Sequence, residues 1–307
     1  MRRIVSLFMF CAMLLLSACN SADKATEAPL IISTIKPIQS MTLAITAGTP
    51  LQTRQLLPDN VSPHQYSVRP SDASALAQAE VIIRIDAEFE AQLDKALQQL
   101  KPQQQLLTLS AAPHITLLST RDLSDSHHED EHHEHGIKDL HLWLDADNGI
   151  AMAQAITQTL SQRYPQYAKT FNTNAEPLIA AIQQADQSAR QQLLPFKGQG
   201  YITFHDAWQY FDRRYGIQLK ATVGTGLGHQ VSAKHLQSLY QTVQQDGVKC
   251  LLYEPQFSPT ALASLVAELN LHTATLDGLG SQLPLTTRTY PELLVQAADQ
   301  LAHCLQP

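Results

Sequence analysis

The chain has 307 residues, 44% of them hydrophobic, and sets 21 Lys and Arg against 28 Asp and Glu for a formal net charge of −7. An acidic balance with no basic stripe argues against nucleic acid as a partner and suits a protein that attracts cations. The length is enough for two lobes, each with a core of its own.

Read from the start, Arg2 and Arg3 precede the apolar run "IVSLFMFCAMLLL". Its length of about 13 residues is that of a secretory h-region and falls short of a membrane span. The run ends in Leu16-Ser17-Ala18-Cys19, similar to the bacterial lipobox, whose cysteine is lipidated and becomes the new N-terminus. Residues 1–19 are therefore read as a signal peptide with lipobox, Cys19 as a lipid anchor in the cell envelope, and residues 20–29 as a tether. Ordinary signal cleavage with Cys19 incidental is the alternative. With Cys11 in the signal and Cys19 as anchor, Cys250 and Cys304 remain in the folded part. In an oxidising envelope they most simply form a disulfide, against the alternative of two buried thiols. Closing the long loop between them contributes about 4 kcal/mol in the chain-entropy model and ties the last helix to a strand.

Short apolar runs then alternate with amphipathic ones, the pattern of an α/β fold with largely parallel strands. "LIISTI" predicts a strand and Lys36-Pro37 opens a helix to about Ala47. "LQTRQLL" is a second strand, followed by a long loop ending in Ser71-Asp72, either of which could cap the helix "ASALAQAE". The strand "VIIRID", the helix "EFEAQLDKALQQL" and the strand "QLLTLS" come next. "SDSHHEDEHHEHG" carries five histidines among carboxylates. "DLHLWLD" then alternates as a strand, with Leu140, Leu142 and Leu144 on one face and Asp139, His141, Trp143 and Asp145 on the other. From about Gly149 to Leu194 the chain is helix-prone apart from Pro165 and Pro177, which predicts a helix and a long connecting helix. The second half repeats the pattern. The strand "GYITF" leads to the helix "DAWQYFDRRY", stopped at Gly216, and the strand "IQLKATV" to a helix from Ser232. After them come the strand "VKCLLYE", the helix "SPTALASLVAELN" capped by Ser258 with Pro259 in its first turn, the strand "LHTATL" and a final helix over about 291–305.

Ligands of open α/β sheets bind beyond the carboxyl ends of the strands. His205 stands at that edge after "GYITF", with Asp206 placed to cap the next helix. His64 lies in the loop after a strand, His141 faces away from the leucines, and Asp277 ends the last strand. Taken singly, each histidine reads as a surface or core residue before it reads as a ligand, and no short motif such as HExxH joins them.

Four blocks change that: "LLPDNVSPHQYSVRPSDASALAQAEVII", "DLHLWLD", "YITFHDAWQYF" and "CLLYEPQFSPTALASLVAELNLHTATLDGLG". Together, in order and over nearly all of the chain after the signal, they resemble the zinc-specific, ZnuA-type solute-binding proteins of ABC importers, whose wider cluster includes manganese binders. The resemblance implies two α/β lobes, each a mostly parallel sheet flanked by helices, at 30–160 and 196–307. A long linking helix at 161–195 would join them, with one metal in the cleft between. It implies His64, His141 and His205 as ligands. Manganese-type relatives carry a carboxylate where this chain has His205, so that residue favours zinc. Three neutral imidazoles and one oxygen make a four-coordinate Zn(II) site. Some family members place a Glu before the first histidine, where this chain has Pro63. The fourth ligand is then Asp277 or a water, with Asp277 preferred for its charge. Asp139, Asp206 and Glu254 are available to orient the ligand histidines, Asp206 also as a helix cap and Glu254 also as a structural contact.

The resemblance implies no enzyme. It implies a monomeric binding protein that captures zinc in the periplasm or envelope, with membrane contact if Cys19 is modified. The metal would pass to an ABC permease and its ATPase at the inner membrane. The alternatives are a lipid-anchored zinc buffer or adhesin, a manganese-type binder and, remotely, a zinc hydrolase. The histidine-rich run at 124–136 has no apolar residue to fold around. The resemblance implies auxiliary zinc binding there, so His127, His128, His132, His133 and His135 are assigned to weak zinc capture beside the tight site, with a purely solubilising run as the alternative.

Overall fold

The computed structural model describes residues 28–59, 61–121, 138–224, 233–256 and 263–306. The N-terminal stretch read as a signal with Cys19, the histidine-rich run, Ser232, and Ser258 with Pro259 lie outside them.

In the first half, β1 (Leu30–Ser33), β2 (Gln52–Gln55), β3 (Val81–Arg84) and β4 (Gln105–Thr108) form one parallel sheet in the order β2-β1-β3-β4. The central strands are apolar over their first three residues because both of their faces are covered, and Ile31, Ile32, Val81, Ile82 and Ile83 are all fully buried. Polar β2 takes the edge. Helices α1 (Lys36–Thr46), α2 (Pro70–Gln78) and the short α3 (Asp94–Leu97) belong to this half. In the second half, β7 (Gly200–Thr203), β8 (Gln218–Thr222), β9 (Cys250–Tyr253) and β10 (His272–Thr275) run parallel in the order β10-β9-β7-β8. Numbered within each half, both sheets have the order second, first, third, fourth, so the two lobes share one topology. Helices α6 (Gln209–Tyr215), α7 (Ala233–Gln245) and α8 (Ala263–Leu269) accompany the second sheet. A small antiparallel ribbon, β5 (Leu118–Ser119) with β6 (Lys138–Asp139), brackets the histidine-rich run in the sequence.

Between the sheets, α4 (Ala146–Arg163) starts at Asp145, whose Oδ1 accepts the backbone N–H groups of Asp147 and Asn148 at 2.8 and 3.0 Å. The linking helix α5 (Ala168–Leu193) has 26 residues and continues through Pro177. It is about 39 Å long at ~1.5 Å per residue. It buries Phe171, Ala175, Leu178, Ile182, Ala185, Ala189 and Leu193, a stripe at helical spacing, against α1, α4 and the final helix α9 (Thr289–Leu305). Cys304 of α9 is disulfide-bonded to Cys250 of β9, as the sequence separation of 54 allows. The segment before α9 crosses back to the first lobe. Buried Lys36 donates to Asp59 at 2.7 Å and to the Leu283 carbonyl at 2.6 Å, and the Tyr290 hydroxyl donates to the Trp143 carbonyl at 2.7 Å.

Three local expectations are corrected. "DLHLWLD" is not a strand beyond Asp139; Leu142–Leu144 form a 3-10 turn. The alternation misleads because Trp143 is as buried as its leucine neighbours, and because Asp139 Oδ1 takes the His141 backbone N–H at 3.0 Å and bends the chain. The helix expected over 88–100 is reduced to a 3-10 turn and α3. Glu90 faces inward there, accepting from the Ile85 and Asp86 backbones, each at 3.0 Å, and from Thr34 Oγ1 at 2.6 Å. Helix α2 begins at Pro70, so Asp72 lies within its first turn and accepts the Arg69 backbone N–H at 2.9 Å and the Tyr66 hydroxyl.

Candidate metal centre

His64 comes from a 3-10 turn, Pro63–Gln65, entered through proline, and its carbonyl accepts from Gln92 Nε2 at 2.5 Å. His141 follows β6, and its Nδ1 lies 2.9 Å from Asp139 Oδ1. His205 follows β7, and its Nδ1 lies 2.8 Å from Oε1 of Glu254, which follows β9. Strands β7 and β9 are neighbours where the strand order reverses, the point at which α/β sheets open a binding crevice. One ligand nitrogen from each of His64, His141 and His205 lies within 4.8 Å of the other two. The Nε2 atoms of His64 and His141 are 3.3 Å apart.

A carboxylate on each Nδ1 fixes the tautomer of His141 and His205 and leaves the Nε2 lone pair for a metal. Burial, reinforced by the charges of His141 and His205, lowers the His64 pKa to about 3. For His205, burial pulls downward, but the Glu254 carboxylate outweighs it and the net shift is upward. The rings stand edge to face, with His64 4.9 Å from Phe89 and 5.4 Å from His141 between centroids. Phe89, Trp143, Leu144 and Ala207 form the apolar wall of a pocket of about 30 Å³. Neutral imidazole donors converging in so small a space suit a four-coordinate zinc ion. Calcium and magnesium need more oxygen donors than this group offers.

Asp277 is not part of the group. Its Oδ2 accepts from Ser281 Oγ at 2.8 Å and the Gln282 N–H at 3.0 Å, and its Oδ1 from the Leu279 N–H at 3.2 Å, so the carboxylate organises its own turn. That turn still meets the pocket: the Gly278 carbonyl accepts from Trp143 Nε1 at 2.7 Å. Asp206 is no helix cap, since α6 starts at Gln209. Both its oxygens are held by Arg121, at 2.6 and 2.7 Å. Asp139 and Glu254 each touch one of the three histidines, His141 and His205 respectively. Residues missed in the sequence are Phe89, Gln92, Arg121 and the pocket-lining Ser62 and Gln256. Phe89 was concealed by the helical reading of its segment. The others carry no local signal, because their partners are distant in the chain.

Residues 31–304 match the ZnuA family, described as zinc-uptake complex component A, periplasmic. The chain is 31% identical over 310 residues to a Yersinia pestis high-affinity zinc uptake system protein ZnuA, covering 96% of this chain and 95% of the relative. Among solved structures, a crystal structure of ZnuA matches with a TM-score of 0.77 at 24% identity, covering 91% of this chain and 100% of that one. A ZnuA deletion mutant with zinc bound matches with a TM-score of 0.75 at 25% identity and the same coverages.

Proposed function

The chain belongs to the ZnuA family of periplasmic zinc-uptake components, and from that premise we propose that it captures Zn(II) through His64, His141 and His205 and delivers it to an ABC permease and its ATPase. It is a solute-binding protein of the periplasm, not an enzyme. The convergence of three imidazole nitrogens on one small pocket carries the reading of the ligands. Asp139 and Glu254 hold two of the rings in register through their Nδ1 atoms. Replacing such a partner lowers metal affinity by about 10–100-fold, so Glu254→Gln is a graded test beside His141→Ala.

Three further parts of the reading concern the chain's surroundings. Cys19 is a lipid anchor that keeps the protein near its permease. The protein acts as a monomer. His127, His128, His132, His133 and His135 collect zinc weakly and pass it on, as five histidines interleaved with carboxylates offer several alternative donor sets.

Chelator-competition calorimetry tests these assignments. The expected result is one tight zinc equivalent that His141→Ala removes, plus weaker equivalents that deletion of residues 125–135 removes while the tight one stays. Loss of the tight equivalent on that deletion, or its survival in His141→Ala, overturns the assignment.

A further inference from the structure

The pocket around the three histidines is also lined by Ser62, Glu254 and Gln256. Glu254 is committed to His205 Nδ1. Gln256, two residues further on, differs from it: its Nε2 is buried and has no hydrogen-bond partner among the described residues. A buried amide N–H without a partner is costly. Native structures retain such a group where a water or a ligand completes it.

What a bound zinc ion lacks in this pocket matches what the amide lacks. Three imidazoles leave a fourth tetrahedral position to be filled. Asp277 does not fill it, because its oxygens hold Ser281, Gln282 and Leu279. The pocket, about 30 Å³, has room for a water beside the ion, as a water needs about 10–15 Å³ on this measure. A metal-bound water keeps a lone pair that accepts a hydrogen bond, and an amide N–H supplies one without adding charge.

Resting on the zinc reading, we propose that Gln256 is a positioning residue for the fourth zinc ligand, a water that binds the metal and accepts a hydrogen bond from Gln256 Nε2. A protein carboxylate in that position would hold the ion more tightly. A water held through one neutral hydrogen bond can be exchanged for an incoming donor without breaking a bond between protein and metal, which suits handover to a transporter.

The test uses Co(II) as a spectroscopic substitute for Zn(II) in the full chain, with visible absorption followed from pH 6 to 10. The wild type should show a transition as the bound water loses its proton. The hydroxide formed accepts more strongly than water, so the donor favours it. In Gln256→Leu the transition should move up by about one unit or more, with one Co(II) still bound at the tight site. In Gln256→Glu the carboxylate should replace the water, abolishing the transition and tightening binding. An unmoved transition in Gln256→Leu overturns the proposal. So does the absence of 17O-water coupling to the cobalt of the wild type, which would mean that a protein group coordinates directly. If the wild type takes neither Co(II) nor Zn(II) on the three histidines, the zinc reading falls and this proposal with it. Metal held by the histidines with an unmoved transition removes the role of Gln256 alone.

Discussion

Arg121→Ala should expose how strongly the stem of the histidine-rich segment is tied to the second lobe. Arg121 follows β5, and its guanidinium reaches Asp206 at 2.6 and 2.7 Å and Asp212 Oδ2 at 2.7 Å. Asp212 is 3% exposed, and its other oxygen accepts from the Tyr201 hydroxyl at 2.8 Å. Burial raises the Asp212 pKa to about 7 against the opposing pull of Arg121. Removing the arginine leaves a buried carboxylate without its cation, a loss of about 3–5 kcal/mol. The sign with pH follows from linkage. The folded protein holds the Asp212 proton more tightly than the unfolded chain, where Asp titrates near ~3.9, so stability falls as pH rises through that window. Without Arg121 the folded pKa climbs further, and the deficit should be full at pH 8 and much smaller at pH 5, where the carboxyl is neutral. Denaturant titration at both pH values checks this, with chelator present because bound metal adds stability of its own. Adding Asp212→Asn to Arg121→Ala should restore most of the loss at pH 8. A deficit below about 1 kcal/mol at pH 8, the level of an exposed pair, refutes the reasoning, as does an equal deficit at both pH values.

Zinc binding should release fewer than three protons at pH 7, because His64, lowered to about 3, is already neutral, while the upward shift of His205 makes that histidine a source of released protons as pH falls. Calorimetry in buffers of different ionisation enthalpy counts the protons, and affinity should fall as pH drops from 8 to 6. Reducing the Cys250–Cys304 bridge should lower stability by about 4 kcal/mol, visible as a lower melting temperature in reductant that Cys304→Ser reproduces. Gly149→Ala should destabilise by about 1–3 kcal/mol or more, because the new methyl would lie 2.1 Å from the Tyr290 hydroxyl, which holds the Trp143 carbonyl. Denaturation of that variant, compared with Ala153→Gly on the same helix as a propensity control, separates the clash from a helix effect.

The sheets were legible because their central strands are fully buried and read as unbroken apolar runs. Helix limits were legible where a residue imposes them, as Pro37 does at the start of α1 and Gly216, with φ 76°, at the end of α6. What failed was local pattern set against long-range pairing. The periodic "EFEAQLDKALQQL" yields to Glu90, whose buried carboxylate gains more from Thr34 and two backbone N–H groups than from a helical turn. The alternation of "DLHLWLD" yields to a site buried on both sides. Asp206 and Asp277 look like a helix cap and an edge ligand when only their neighbours in the chain are considered. Arg121, 85 positions from Asp206, and the turn at 278–282 decide otherwise. The three histidines stood out by their places, His205 at a strand end, His64 in the loop after a strand and His141 facing away from the leucines, but only the family resemblance joined them into one group.

The Cys250–Cys304 bridge also sets an order of events. It fastens β9, whose end carries Glu254, to a helix completed only when residue 304 is present. A chain still in the reducing cytosol keeps both thiols free. The bridge therefore closes after the body of the protein has been exported, so the strand that presents the partner of His205 is covalently fastened in the same compartment in which proteins of this family take up zinc.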